Sequence, residues 1–99
     1  MLTGKQRSYL KALATELEPA VYIGKQDMTE AVLAEMDRYL DAHELLKVKI
    51  QEGSELDPKT AANDAAAHLD AEYVQAIGRR FVLYRRAKEK EDRKIVLPK

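Results

Sequence analysis

An apolar run, Ala20-Val21-Tyr22-Ile23, stops at Gly24, and after a short polar turn a helical pattern opens at Thr29. This segment constrains the fold most. A buried strand that passes through a glycine turn into a helix has to be carried back across a sheet by that helix. The first N–H groups of the helix lack intrahelical acceptors and carry partial positive charge, so strand, turn and helix start together make a place for a phosphate. Lys25 adds a full charge at the tip of the turn. The unit points to a protein that reads nucleic-acid backbone.

The remaining elements follow from spacing. Thr3 with Gln6 forms a capping-box pattern, and Leu10, Leu13, Ala14 and Leu17 share one helical face up to the break at Pro19. Val32, Leu33, Met36 and Leu40 stripe a second helix from Thr29 to about Ala42. In Leu45 to Gln51, Leu46, Val48 and Ile50 alternate with Lys47 and Lys49, the pattern of a strand buried on one face. Asp57-Pro58 starts an alanine-rich helix to Leu69. Tyr73–Ile77 and Phe81–Arg85 flank a tight turn as the last two strands. Two helical crossovers predict parallel pairings, and the short final turn predicts an antiparallel hairpin. The expected fold is α/β, a two-layer sandwich with a four-stranded mixed sheet in the order α-β-α-β-α-β-β. Residues 1–86 form the expected domain and 87–99 a charged C-terminal extension, with Ile95-Val96-Leu97 a candidate edge strand.

The net charge of the 99 residues is zero, but its distribution is not even. Residues 1–25 hold four basic and two acidic side chains, residues 26–78 four and twelve, and residues 79–99 nine and three. A polyanion responds to the local patch, because fields are screened beyond about 8–10 Å at physiological salt. With no cysteine, disulfides and thiolate metal sites are excluded. No apolar stretch approaches membrane-spanning length, and the start lacks the apolar core of a signal peptide, so the expectation is a cytoplasmic protein.

The stretches Leu2-Thr3-Gly4-Lys5-Gln6, Tyr22-Ile23-Gly24-Lys25, His43 to Lys49, Val74 to Gly78 and Leu83-Tyr84-Arg85 closely resemble the CRM domain, in particular its stand-alone bacterial YhbY-type form. The resemblance spans roughly residues 2–86. It implies a fold similar to the C-terminal domain of translation initiation factor three, RNA binding, and association with precursors of the large (50S) ribosomal subunit. Plant relatives carry such domains in organellar splicing factors. The family's signature loop is G-x-x-G, and here it reads Gly24-Lys25-Gln26-Asp27. Asp27 replaces the second glycine. Aspartate tolerates left-handed geometry better than most residues, so the turn survives, but its carboxylate is expected to cap the helix amides and repel a phosphate.

The expected RNA-binding residues are Gly24, Lys25, Gln26 and Thr29 at the loop, Lys47 and Lys49 on the strand, Lys5 on the first helix, and Arg85. Each cation has a bland alternative as a solvated surface charge. Arg79, Arg80 and Arg86 cluster with Arg85 about the last hairpin, and Tyr84 reads either as core or as a ring offered to a base. His43 and His68 have no ligand spacing, and Ser8 and Ser54 no histidine–acid partner, so neither metal, cofactor nor catalysis is expected. The expected partner is RNA, above all ribosomal RNA, with ribosomal proteins as further candidates and the chain a monomer. The alternative is a protein–protein adaptor whose acidic face docks a basic partner.

Overall fold

Each α-helix begins where a side chain replaces a missing backbone acceptor. Thr3 and Gln6 close a capping box before α1 (Gly4–Thr15). The Thr29 hydroxyl accepts from Val32 N before α2 (Glu30–His43). Asp57 accepts from Thr60 N and Oγ1 before α3 (Pro58–Leu69), with Pro58 at the first position. Those bonds hold the Asp57 carboxyl below its usual pKa. The strands are β1 (Val21–Ile23), β2 (Leu45–Ile50), β3 (Glu72–Ile77) and β4 (Arg80–Tyr84). The computed structural model describes residues 2–99, so Met1 of the expected domain lies outside the described residues.

The element order is the expected one, but α1 ends well before Pro19. Leu17 N donates to Ala14 O at 3.0 Å and Glu16 N to Leu13 O at 3.3 Å, a tightened final turn that unwinds the chain ahead of the proline. The mixed sheet is ordered β1-β2-β4-β3. The first crossover gives the expected parallel pair of β1 and β2. The second does not: β4 is inserted between β2 and β3 and pairs antiparallel with both. The hairpin of β3 and β4 folds inward, so β4 satisfies its backbone on both edges.

Helices cover both faces of the sheet, one layer more than the two expected. On one face Met36 and Leu40 of α2 and the alanines of α3 meet Val21, Ile23, Leu46, Val48, Ile50, Phe81 and Leu83. Small alanines let α3 approach the sheet closely. On the other face Leu10 and Ala14 of α1 meet Leu45, Val74, Val82 and Tyr84. The bulge between Tyr73 and Gln75 puts Val74 into this second cluster.

The expected charged extension folds back onto the α1 side. Ile95 and Leu97 pack against the second cluster, and Ala87 is buried, while residues 95–97 form no strand. A fully buried carboxylate anchors the segment. Glu44, at φ 69° just beyond α2, accepts from Ala87 N at 3.0 Å, Lys94 N at 2.6 Å and Ile95 N at 3.0 Å. Burial pushes the Glu44 carboxyl upward, but these three bonds and the Arg93 charge outweigh it, and its pKa lies below the ordinary value. Tyr84 is core rather than exposed ring: burial, then the neighbouring Glu44 charge, raises the pKa of its phenol.

Candidate nucleic-acid interface

The loop after β1 is built from backbone first. Gln51 N donates to Ile23 O at 2.8 Å and holds the strand end, and Asp27 N donates to Gly24 O at 3.0 Å and closes the turn. Asp27 then sits at φ 63°, in the left-handed region, as its replacement of a glycine requires. The carboxylate does not cap α2, contrary to expectation. Oδ1 accepts from Ser54 Oγ at 2.9 Å, and the helix start is capped by Thr29 alone. Ser54 is buried, and its hydroxyl also accepts from Leu56 N, so the contact is part of a fixed network.

Two neighbouring turns brace this pole. The stem of Lys25 lies over Gly53, where a Cβ would meet Lys25 Cε at 3.1 Å and the backbone is left-handed at φ 97°. Arg79 donates from Nε to Ile50 O at 3.1 Å and from Nη2 to Gln51 O at 2.8 Å and Ser54 O at 3.0 Å, so this guanidinium is occupied in joining the hairpin to the loop. Gly24 is different. It has no left-handed φ, and an added Cβ would meet only Gln51 Oε1, at 3.4 Å. Neither backbone geometry nor packing requires glycine there.

Among the described residues, the amides of Lys25, Gln26, Met28, Glu30 and Ala31 donate to no protein acceptor. They cluster around the exposed side chains of Lys25 and Gln26 at the positive end of α2. The exposed Glu30 in the first turn partly offsets that field. Chemically, this is a set of main-chain donors with one exposed cation, suited to an anionic oxygen.

The other expected residues are scattered. Lys49 is half-buried on the same face of the sheet as Tyr22 and Arg80, beside both in register. Lys47 lies on that face too, but Nζ donates to Ala14 O at 3.2 Å and Leu17 O at 3.1 Å, closing the C-terminus of α1. Two of its three donors are therefore used. Lys5 is exposed near the start of α1, whose Arg7 bonds Tyr73 O at the beginning of β3, the end of the sheet away from the loop.

Arg85 requires the plainest correction. It donates from Nη1 to Asp37 Oδ1 at 2.8 Å and Leu69 O at 2.8 Å, and from Nη2 to Asp37 O at 2.9 Å and Asp41 Oδ1 at 3.1 Å. Its side chain is 12% exposed and clamps the ends of α2 and α3 to β4, at the pole opposite the loop. It is a structural cation rather than a free one. Tyr22 is the reverse case: read as part of a buried run, it is 49% exposed, while Val21 and Ile23 on either side are buried. Strict strand alternation would have placed its ring outward.

Charge is sorted by layer. Glu30, Glu35, Asp37 and Asp41 of α2 and Asp64 of α3 outnumber Arg38 and Lys59, so the outer helical layer is acidic on balance, although Asp37 and Asp41 are paired with Arg85. The opposite side carries Lys11, Lys49 and Arg80, with Glu16 and Glu18 as acidic exceptions. Among the described residues no group of three or more His, Cys, Asp or Glu is arranged to hold a metal ion, and no helix is long and apolar enough to cross a membrane.

Comparison with known proteins adds identity to this geometry. The CRS1/YhbY (CRM) domain model matches residues 2–85. A Haemophilus influenzae protein named "RNA-binding protein" is 40% identical over 98 residues, covering 99% of this chain and 96% of that one. The "Probable RNA-binding protein YqeI" of Bacillus subtilis is 34% identical over 98 residues, covering 99% and 100%. The solution structure of SAV1595 from Staphylococcus aureus matches with a TM-score of 0.80 at 37% identity, over 99% of this chain and all of that one. The chain therefore belongs to the CRS1/YhbY (CRM) domain family.

Proposed function

We propose that this chain is a non-catalytic RNA-binding protein that contacts ribosomal RNA in large-subunit precursors, acting in the cytoplasm as a monomer without a cofactor. Backbone amides of Lys25, Gln26 and the α2 start hold one or two phosphates, and Lys25 and Lys49 extend the contact. The names of the relatives support the ligand class. The observation that carries the reading is the turn itself: Asp27 is held left-handed with its carboxylate drawn to Ser54, and neighbouring amides are without acceptors. Gly24 supports it further, because a glycine that the fold does not need is explained by close approach of a ligand to the backbone. Of the cations first considered, Lys47 and Arg85 have internal structural duties, and Lys5 lies at the end of the sheet away from the loop.

Recognition led by phosphates is steep in salt and loose in sequence. Gel-shift competition between structured RNA and duplex DNA of equal length, at two salt concentrations, tests the ligand class; preference for RNA is expected, and equal or absent binding overturns it. Sedimentation of cell extract tests the ribosomal part, where co-migration with large-subunit precursors is expected and free migration at low salt contradicts it. The acidic α2–α3 layer favours a second reading, an adaptor for a basic protein, with Met28, Leu33, Asp64, Ala67 and His68 lining a groove between the helices.

A further inference from the structure

Helix α1 covers only the end of the sheet marked by Leu45 and Tyr84, and leaves the loop end of the same face open. There the register aligns one side chain from every strand. Tyr22 of β1 lies beside Lys49 of β2, Lys49 beside Arg80 of β4, and Arg80 beside Ile77 of β3. The row crosses three interstrand gaps, about 14 Å in all. Its two ends are large and apolar yet 49% and 68% exposed. Its two middle members are cations whose side chains make no hydrogen bond or ion pair among the described residues. A shallow groove behind the row is lined by Thr15, Lys47, Gln75, Ile77, Arg80 and Val82.

We propose that this row is a stacking platform for unpaired bases, so that the favoured ligand is single-stranded RNA. The proposal rests on the RNA-binding reading and deepens it by naming the form of RNA. Tyr22 and Ile77 call for flat apolar partners, and Lys49 and Arg80 call for anions between them. An unpaired base with its ribose-phosphate supplies both. Duplex RNA conceals its base faces, and a basic protein surface would be repelled. The row also continues the loop: Tyr22 leads through Ile23 into Gly24, and Arg80 follows Arg79, which bonds the Gln51 and Ser54 carbonyls. One strand of RNA lying across the sheet thus places phosphates at the loop and bases on the row.

The test titrates wild type, Tyr22→Phe and Tyr22→Ala with a labelled oligouridylate and with a blunt RNA duplex of equal length, by fluorescence anisotropy. Circular dichroism checks the fold, which an exposed position should leave intact. The single strand should bind wild type and Tyr22→Phe alike and Tyr22→Ala about tenfold more weakly, with duplex affinity unmoved. Equal single-strand affinity of Tyr22→Ala and wild type overturns the platform while leaving RNA binding in place. An equal loss on duplex and single strand also overturns it, because it assigns Tyr22 to the phosphate contact. Failure of the wild type to bind either RNA overturns the underlying reading together with the platform.

Discussion

Asp27 Oδ1 accepts a 2.9 Å hydrogen bond from Ser54 Oγ, which ties the turn after β1 to the loop after β2. A side chain that would crowd the start of α2 is instead held to one side. Its charge still lies near the amides proposed to hold phosphate, and the backbone beneath it is left-handed.

Asp27→Gly should therefore tighten RNA binding at low salt by about three- to fivefold, the effect of removing one negative charge near a helix N-terminus. Stability should change little, since relief of the left-handed strain and loss of the Ser54 bond are each worth about 1 kcal/mol. Asp27→Ala loses the bond without relieving the strain and should cost about 1 kcal/mol. Anisotropy titration and urea unfolding separate the two effects; unchanged affinity in Asp27→Gly would mean that the loop carries little of the binding.

Gly24→Ala separates function from folding at a single atom. The fold tolerates a Cβ there, so stability should stay within about 0.5 kcal/mol of wild type. RNA affinity should fall about fivefold, because the methyl group would stand where the proposed contact brings phosphate oxygens. A stability loss with unchanged affinity would assign the glycine to structure.

Arg85→Ala should do the opposite. Removing a largely buried guanidinium from Asp37, Asp41 and the Leu69 carbonyl should cost about 3 kcal/mol in urea unfolding. Arg85→Lys should recover only part, because an ammonium cannot reproduce the forked geometry. RNA affinity of the folded fraction should be that of wild type; a selective loss of affinity would return Arg85 to the interface.

Glu44 makes tail docking depend on pH. Its folded pKa lies below the ordinary value of 4.5, so its stabilisation is present above that value and is lost as pH falls through the folded pKa. Hydrogen exchange of the Ala87, Lys94 and Ile95 amides should accelerate relative to core amides in acid. Glu44→Gln should release the tail at neutral pH, at a cost of about 2 kcal/mol. Equal protection in wild type and variant would show that apolar packing of Ile95 and Leu97 holds the segment without the carboxylate.

What the sequence made legible follows physical range. Thr3, Thr29 and Asp57 announce their helices through contacts within one turn, and the alternation around Lys47 and Lys49 defines β2. Asp27's left-handed turn was likewise a local matter. The acidic partners of Arg85 lie 48 and 44 residues away in the chain, and those of Glu44 43 to 51 residues away. Such side-chain bonds leave no periodic trace, so an internally committed cation looks like a free one. Lys47 is the clearest case: it alternates as an outward strand lysine should, yet its ammonium closes a helix through acceptors 33 and 30 residues earlier in the chain. The insertion of β4 between β2 and β3 is equally silent, because pairing order is decided by docking rather than by local pattern.

The most direct measurement is the salt dependence of single-stranded RNA affinity in wild type and in Lys25→Ala/Lys49→Ala. If both cations meet phosphates, the slope of log K against log salt should shrink by about 1.4, since each contact on a single strand contributes about 0.7. A folded double variant with wild-type affinity and an undiminished slope would contradict phosphate capture at this pole of the molecule.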